Sequence, residues 1–120
     1  MTFTIPGNPV TKKNSQRIFV NRKTGKPFVK PSEQYEAYAE TAGWFIPRAE
    51  IDYPVNVKCV YYINADRIVD LCNLLECTCD CLERYGCVKN DCSRIIASHD
   101  GSRVYVDRKN PRVEITITPV

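Results

Sequence analysis

The sequence predicts an α/β chain of the α+β kind: a single layer of mixed β-sheet packed against two α-helices, in one domain covering residues 1–120. Two stretches place apolar residues at helical spacing. Several short stretches alternate apolar and polar residues or are rich in β-branched and aromatic types, and Pro/Gly pairs separate them. A strand, a hairpin, a helix, a strand, a helix and two or three further strands must then share one layer with mixed directions. At 120 residues there is room for one compact domain and not for two.

Residues 1–5 alternate and stop at Pro6-Gly7, so they read as a first strand. The polar loop that follows leads to residues 17–21 and 27–30, which flank Arg22-Lys23-Thr24-Gly25-Lys26. Gly25 suits a hairpin turn, and the basic loop and hairpin therefore occupy about 8–30. Pro31-Ser32-Glu33 opens a helix with either Pro31 or Ser32 at its cap. Tyr35, Tyr38, Ala39, Ala42, Phe45 and Ile46 recur at helical spacing until Pro47. That spacing favours packing over base stacking for Tyr35, Tyr38, Trp44 and Phe45.

Residues 54–64 are β-branched and aromatic, as in a central strand. Residues 70–85 form a second helix, closed by Gly86 in the C′ position. Residues 93–97 and 103–106 read as two strands, or as one strand interrupted near Asp100-Gly101. Asn110-Pro111 then turns the chain into a strictly alternating strand over 113–118. His99, without a nucleophile beside it in sequence, reads as a strand-end or loop residue.

The chain's net charge of +3 hides an asymmetry. Residues 1–30 carry Lys12, Lys13, Arg17, Arg22, Lys23, Lys26 and Lys30 with no acid, a net +7, against −4 for the remainder. A cationic segment on a mildly acidic body suits a polyanionic partner, and equally an ordinary solvated basic surface. No apolar run approaches a membrane span, and the first residues lack a basic stretch followed by a long apolar one. The expected location is the cytoplasm, with no membrane partner.

Seven cysteines are present, six of them crowded between Cys72 and Cys92. An odd count in a chain expected to be cytoplasmic argues against a disulfide scaffold, and no C-x2-C pair offers a zinc motif. Cys77 and Cys81, one helical turn apart, leave a small zinc module with Cys87 or Cys92 as an alternative. Thiols acting as small buried hydrophobes are the plainer reading.

Along the second helix, Leu71, Leu74, Leu75, Thr78, Cys81, Leu82 and Tyr85 form one continuous face and are expected in the core. On the other side Asn73, Glu76 and Asp80 form a column of oxygen-bearing side chains, with Arg84 one turn beyond Asp80. Glu76 and Asp80 repel each other unless a cation intervenes. Asp70 starts this helix and Asp91 follows it, so a return of the chain toward the helix N-terminus gathers carboxylates of the kind Mg2+ or Mn2+ uses to hydrolyse phosphodiesters. Beside a phosphate-binding segment this suggests a nuclease. The alternative is a plain N-cap at Asp70 and a wet helix face.

Four stretches, in order and spacing, resemble the RusA family of Holliday-junction resolvases. They are Ile5-Pro-Gly-Asn-Pro-Val-Thr-Lys-Lys-Asn-Ser15, Pro31-Ser32 with Tyr35 and Tyr38, the helix Asp70-Leu-Cys-Asn-Leu-Leu-Glu-Cys-Thr-Cys-Asp80, and Lys89-Asn-Asp-Cys-Ser-Arg-Ile95. The resemblance spans nearly the whole chain. It implies a RusA-like fold and a small homodimeric, Mg2+-dependent endodeoxyribonuclease, common in prophages, that cuts four-way DNA junctions in recombination and repair.

The resemblance also implies residue roles. The family's first metal-binding aspartate matches Asp70, its asparagine Asn73, its later helical aspartate Asp80 and its post-helical ligand Asp91. Cys72 stands where the family has a second metal-binding aspartate, and Glu76 where it has a catalytic lysine. A thiol is a poor ligand for Mg2+, which makes Mn2+ the better tolerated ion. Glu76 restores a carboxylate, so the expected catalytic and metal-binding set is Asp70, Glu76, Asp80 and Asp91. Lys12, Lys13, Asn14, Ser15, Arg17, Arg22, Lys23, Lys26, Asn73 and Arg103 are the expected DNA contacts, which position the duplex more than they read it. A catalytically weak junction-binding protein of the same fold is the alternative.

Overall fold

The computed structural model describes residues 1–12, 17–20, 22–30 and 33–120, with 17–20 and 27–30 described by their backbone alone. Along the chain run β1 (Thr2–Pro6), β2 (Arg17–Val20), β3 (Pro27–Lys30), α1 (Glu33–Gly43), β4 (Val55–Ile63), α2 (Leu71–Arg84), β5 (Ile96–Ser98), β6 (Arg103–Val106) and β7 (Arg112–Pro119). Among the described residues the expected mixed sheet with two helices is present, but it holds five strands, and β2 and β3 form a separate two-stranded sheet rather than part of the same layer.

β4 is central, as its composition predicts. One edge pairs antiparallel with β7, which in turn pairs antiparallel with β1. The other edge is shared: β5 lies parallel to the start of β4 and β6 parallel to its end. The stretch around Asp100-Gly101 therefore separates two strands on one edge. β2 and β3 pair as the expected hairpin, with Ile18 opposite Val29.

Alternation decides which sheet face meets the helices. Val55, Val57, Cys59, Tyr61 and Ile63 point inward from β4, and Val113, Ile115 and Ile117 from β7. Leu74, Thr78, Cys81 and Leu82 of α2, with Tyr35, Ala39 and Ala42 of α1, cover that face. Cys77 and Cys79 are buried as well, so the sunk part of α2 is wider than the apolar stripe alone indicates. Tyr61 Oη and Thr78 Oγ1, 2.6 Å apart, join β4 to α2 inside the core.

Three expectations need correction. Residues 93–95 form a turn, not strand, because Cys92 O accepts from both Ile95 N and Ile96 N, at 3.0 and 2.9 Å. The first helix stops at Gly43; Trp44 N and Phe45 N bond to Thr41 O and Ala42 O in a tightened last turn, since Pro47 disfavours helix at the residue before it. Trp44 consequently stands 87% exposed and Phe45 44% exposed, and only Ile46 of that trio packs. Gly43 has its own reason: a Cβ there would stand 2.5 Å from the Tyr85 ring.

All seven cysteines are free thiols, five of them buried and Cys72 and Cys92 exposed. Burial pushes the Cys59 and Cys79 thiols up to about 12 and Cys87 to about 11, so they stay protonated at neutral pH. They pack as small hydrophobes.

Candidate active site

α2 begins as the sequence predicts. Asp70 takes extended φ and ψ of −93° and 111°, and its Oδ1 accepts from Cys72 N at 2.9 Å and Asn73 N at 3.4 Å. The helix ends at Tyr85, and Gly86 turns the chain with a φ of 79°.

The path after the turn is fixed by the segment that follows α1. Glu50 N donates to Gly86 O, Ile51 N to Cys87 O, and Lys89 N to Ile51 O, all at 2.9–3.0 Å. Cys87 and Val88 are buried by this clamp. The chain then runs back along α2, and Asn90 Oδ1, accepting from Cys92 N at 2.9 Å, shapes the turn that carries Asp91. Asp91 thereby shares a cleft of about 350 Å³ with Cys72, Leu75, Glu76, Cys79, Ile96 and His99. The chain does return along α2, and Glu76 and Asp91 both line this cleft.

Asp80 lies elsewhere. At 100° per residue it is one turn beyond Glu76 and about 40° further round the helix, enough to face the opposite cleft. There its Oδ2 meets Lys12 Nζ at 3.0 Å, beside Tyr35, Glu36, Glu83 and Arg84. The hydrogen bond to Asp80 raises the Lys12 pKa above its usual 10.5, and the ammonium also lies 5.2 Å from the Tyr35 ring centroid. Arg84 does not pair with Asp80; its Nη1 reaches Glu36 Oε2 of α1 at 3.2 Å. Asp70 lines neither cleft. Among the described residues, no three His, Cys, Asp or Glu side chains stand close enough to hold a metal ion.

The two carboxylates that do share a cleft suit a hard divalent cation, which commonly binds through one or two protein carboxylates, several waters and the substrate's phosphate oxygens. Cys72 contributes nothing to such a set.

Of the expected DNA contacts, Arg22, Lys23 and Lys26 are exposed in the hairpin turn, Arg103 is exposed on β6, and Asn73 is half-buried on α2. Lys13, Asn14 and Ser15, and the side chain of Arg17, lie outside the described residues. Residues 1–12 end at Lys12, whose backbone N–H donates to Cys77 Sγ at 3.3 Å. Backbone and side-chain contacts of one residue thus dock the root of the basic arm on α2.

His99 and Cys79 line the cleft although local sequence gives them no part in it. His99 Nδ1 donates to Val57 O at 2.8 Å, which turns Nε2 toward Cys79 Sγ, 3.7 Å away. The i, i+4, i+7 spacing of Cys72, Glu76 and Cys79 was the available signal for the helix side. Nothing local announces His99.

A family model described as Endodeoxyribonuclease RusA matches residues 6–118, a span that includes the basic arm, α2, Asp91 and both clefts. No curated protein matches the chain. Among the described residues no helix is long and apolar enough to cross a membrane.

Proposed function

Because the chain belongs to the RusA endodeoxyribonuclease family, whose members resolve Holliday junctions with the help of a divalent metal, we propose that it cuts four-way DNA junctions at the cleft of Glu76 and Asp91. Mg2+ or Mn2+ is the proposed ion. When bound it orients the attacking water and takes up charge on the leaving oxygen.

The protein's part is to prepare that position. Asp70, by capping α2, fixes the first turn that carries Cys72 and Asn73. Glu76 and Asp91 supply anionic oxygens to one cleft, the first from α2 and the second from the turn that follows it. Asp80 holds Lys12, and with it the root of the basic arm, beside the helix that carries Glu76. Lys12, Lys13, Arg17, Arg22, Lys23, Lys26 and Arg103 are proposed to neutralise phosphates, with Asn14, Ser15 and Asn73 adding neutral hydrogen bonds. Two nicks in opposed strands need two such sites, so the working unit is a homodimer acting on cytoplasmic DNA.

The meeting of Glu76 and Asp91 in one cleft is the observation that carries this reading. A synthetic four-way junction incubated with the full chain and Mg2+ or Mn2+ should be nicked, and Glu76→Gln or Asp91→Asn should abolish nicking while leaving junction binding intact. A specific observation favours one second reading: Asp80 is engaged by Lys12 and Asp70 by the helix start, which leaves fewer ligands than the family pattern. Binding without cleavage under both metals would make the chain a junction-binding member of the family.

A further inference from the structure

Among the described residues a further pocket, of about 240 Å³, opens at the start of α2 and takes no part in the chemistry proposed above. Asn8, Gln34, Asn64 and Arg67 line it, with Val69 and Leu74 among its apolar walls. Leu74 lines this pocket while Cys72, Leu75 and Glu76 line the carboxylate cleft, so the first turns of α2 separate the two. Asn8 Oδ1 accepts from Asn64 N at 2.9 Å, which fixes that carboxamide and leaves its Nδ2 to donate. The side chains of Gln34, Asn64 and Arg67 have no hydrogen-bond or ion-pair partner among the described residues.

This polar set matches the edge of a nucleobase. Carboxamides both donate and accept, as base edges do; a carboxamide pairs with adenine N6 and N7, and an arginine fork with guanine O6 and N7. A bare phosphate would use the donors alone and leave the Gln34 and Asn64 oxygens idle. The pocket is smaller than the about 300–1,000 Å³ usual for drug-sized ligands, which suits one base and not a base pair.

The segment of residues 64–69, between β4 and α2, supplies an independent observation. Arg67 and Val69 stand on the pocket wall, and Ile68 between them is fully exposed. Apolar side chains so placed are the wedges that proteins drive between base steps to unstack them. Bases at a branch point have already lost continuous stacking, so extrusion costs least there.

We propose that Ile68 enters the base stack at the branch point of a junction and that the pocket of Asn8, Gln34, Asn64 and Arg67 receives the purine it displaces. The inference rests on the chain acting on DNA junctions. It adds a means of telling a junction from plain duplex and a base preference at the branch.

The test uses the full chain without divalent metal, so that nothing is cut. Junctions carry 2-aminopurine, which fluoresces when unstacked, either at the branch point or in mid-arm. Wild type should raise branch-point fluorescence at least about threefold and leave the mid-arm probe unchanged. Ile68→Ser should still bind the junction, by anisotropy of a separate dye, and lose that rise. In competition among unlabelled junctions that differ only in the branch-point base, wild type should favour purines by at least about fivefold, and Gln34→Ala and Arg67→Ala should each flatten that preference. All three side chains are exposed, so these substitutions leave the fold intact. A bound junction whose branch-point probe stays dark, or a rise that survives Ile68→Ser, would overturn the proposal. So would weakening by Arg67→Ala that is equal for all four bases, as a phosphate contact gives. A chain that extrudes the base yet never cuts with Mg2+ or Mn2+ refutes only the nuclease. One that cuts junctions while the probe stays dark refutes only this inference.

Discussion

Lys12 Nζ and Asp80 Oδ2 stand 3.0 Å apart, and this ion pair ties the root of the cationic arm to the helix that carries Glu76. Both side chains are more than a third exposed, at 39% and 35%, so solvent screens the pair and its loss should cost under about 1 kcal/mol. DNA binding should respond more visibly. Lys12→Ala should lower the slope of log binding constant against log salt by about 0.9 if the arm lies on phosphates. Fluorescence anisotropy with a labelled junction at several salt concentrations checks this, and an unchanged slope takes Lys12 out of the interface.

The same pair sets a stability trend at high pH. Folding raises the Lys12 pKa through its hydrogen bond to Asp80, so the contribution is fully present below the usual 10.5 and disappears as pH climbs through the raised value. Thermal melts on the alkaline side should show the difference between wild type and Lys12→Met shrinking above about pH 10.5.

At the acid end the relevant group is Asp107. Arg112 Nη1 bonds its Oδ2 at 3.0 Å, and Lys109 N and Asn110 N bond its Oδ1, which together hold its pKa below the usual 3.8. The contribution is present above 3.8 and lost as pH falls through the depressed value. Asp107→Asn should therefore be less stable than wild type at pH 7, with the difference shrinking as pH falls below about 4, measured by circular dichroism.

Asp70 caps α2 in the structure, whereas the family resemblance implies a metal ligand at that position, and substitution separates the two. Asp70→Asn keeps an acceptor oxygen for Cys72 N and Asn73 N and should retain stability, whereas Asp70→Ala should lose about 0.5–2 kcal/mol in denaturant unfolding. If Asp70 also binds metal, Asp70→Asn should lose junction cleavage despite its intact fold. Full activity in Asp70→Asn would restrict it to capping.

In the core, Tyr61→Phe removes the partner of Thr78 Oγ1 across a 2.6 Å contact and should cost about 1–3 kcal/mol. The double variant with Thr78→Val leaves no orphaned hydroxyl, so it should be less destabilised than the two single losses summed, as a denaturant double-mutant cycle will show.

Much of the architecture is legible in local sequence because local physics decides it. Asp70 and Gly86 bound α2 through side-chain capping and a left-handed turn, and β7 declares its buried face by alternation. What was not legible depends on contacts distant in sequence. Trp44 sits at helical spacing with core residues, yet Pro47 ends the helix first and leaves the ring in solvent. Residues 93–95 look extended, yet Cys92 O captures two amides and bends them.

The site divides in the same way. Residue types and helical spacing select Glu76, and the return of the chain that puts Asp91 on the same cleft is anticipated only in outline. The clamp of Glu50 and Ile51 on residues 86–89, which fixes that return, leaves no local mark. The choice of Lys12 as partner of Asp80 and the arrival of His99 against Cys79 likewise arise from separations of 68 and 20 residues.

Strand scission itself bears most directly on the whole account. Full-length protein mixed in excess with an end-labelled four-way junction and a linear duplex of the same sequence, in Mg2+ and separately in Mn2+, should nick the junction at paired positions in opposite strands and spare the duplex. Glu76→Gln and Asp91→Asn should stop the nicking without loosening the complex. Cleavage that survives both substitutions, or equal cutting of junction and duplex, would contradict it.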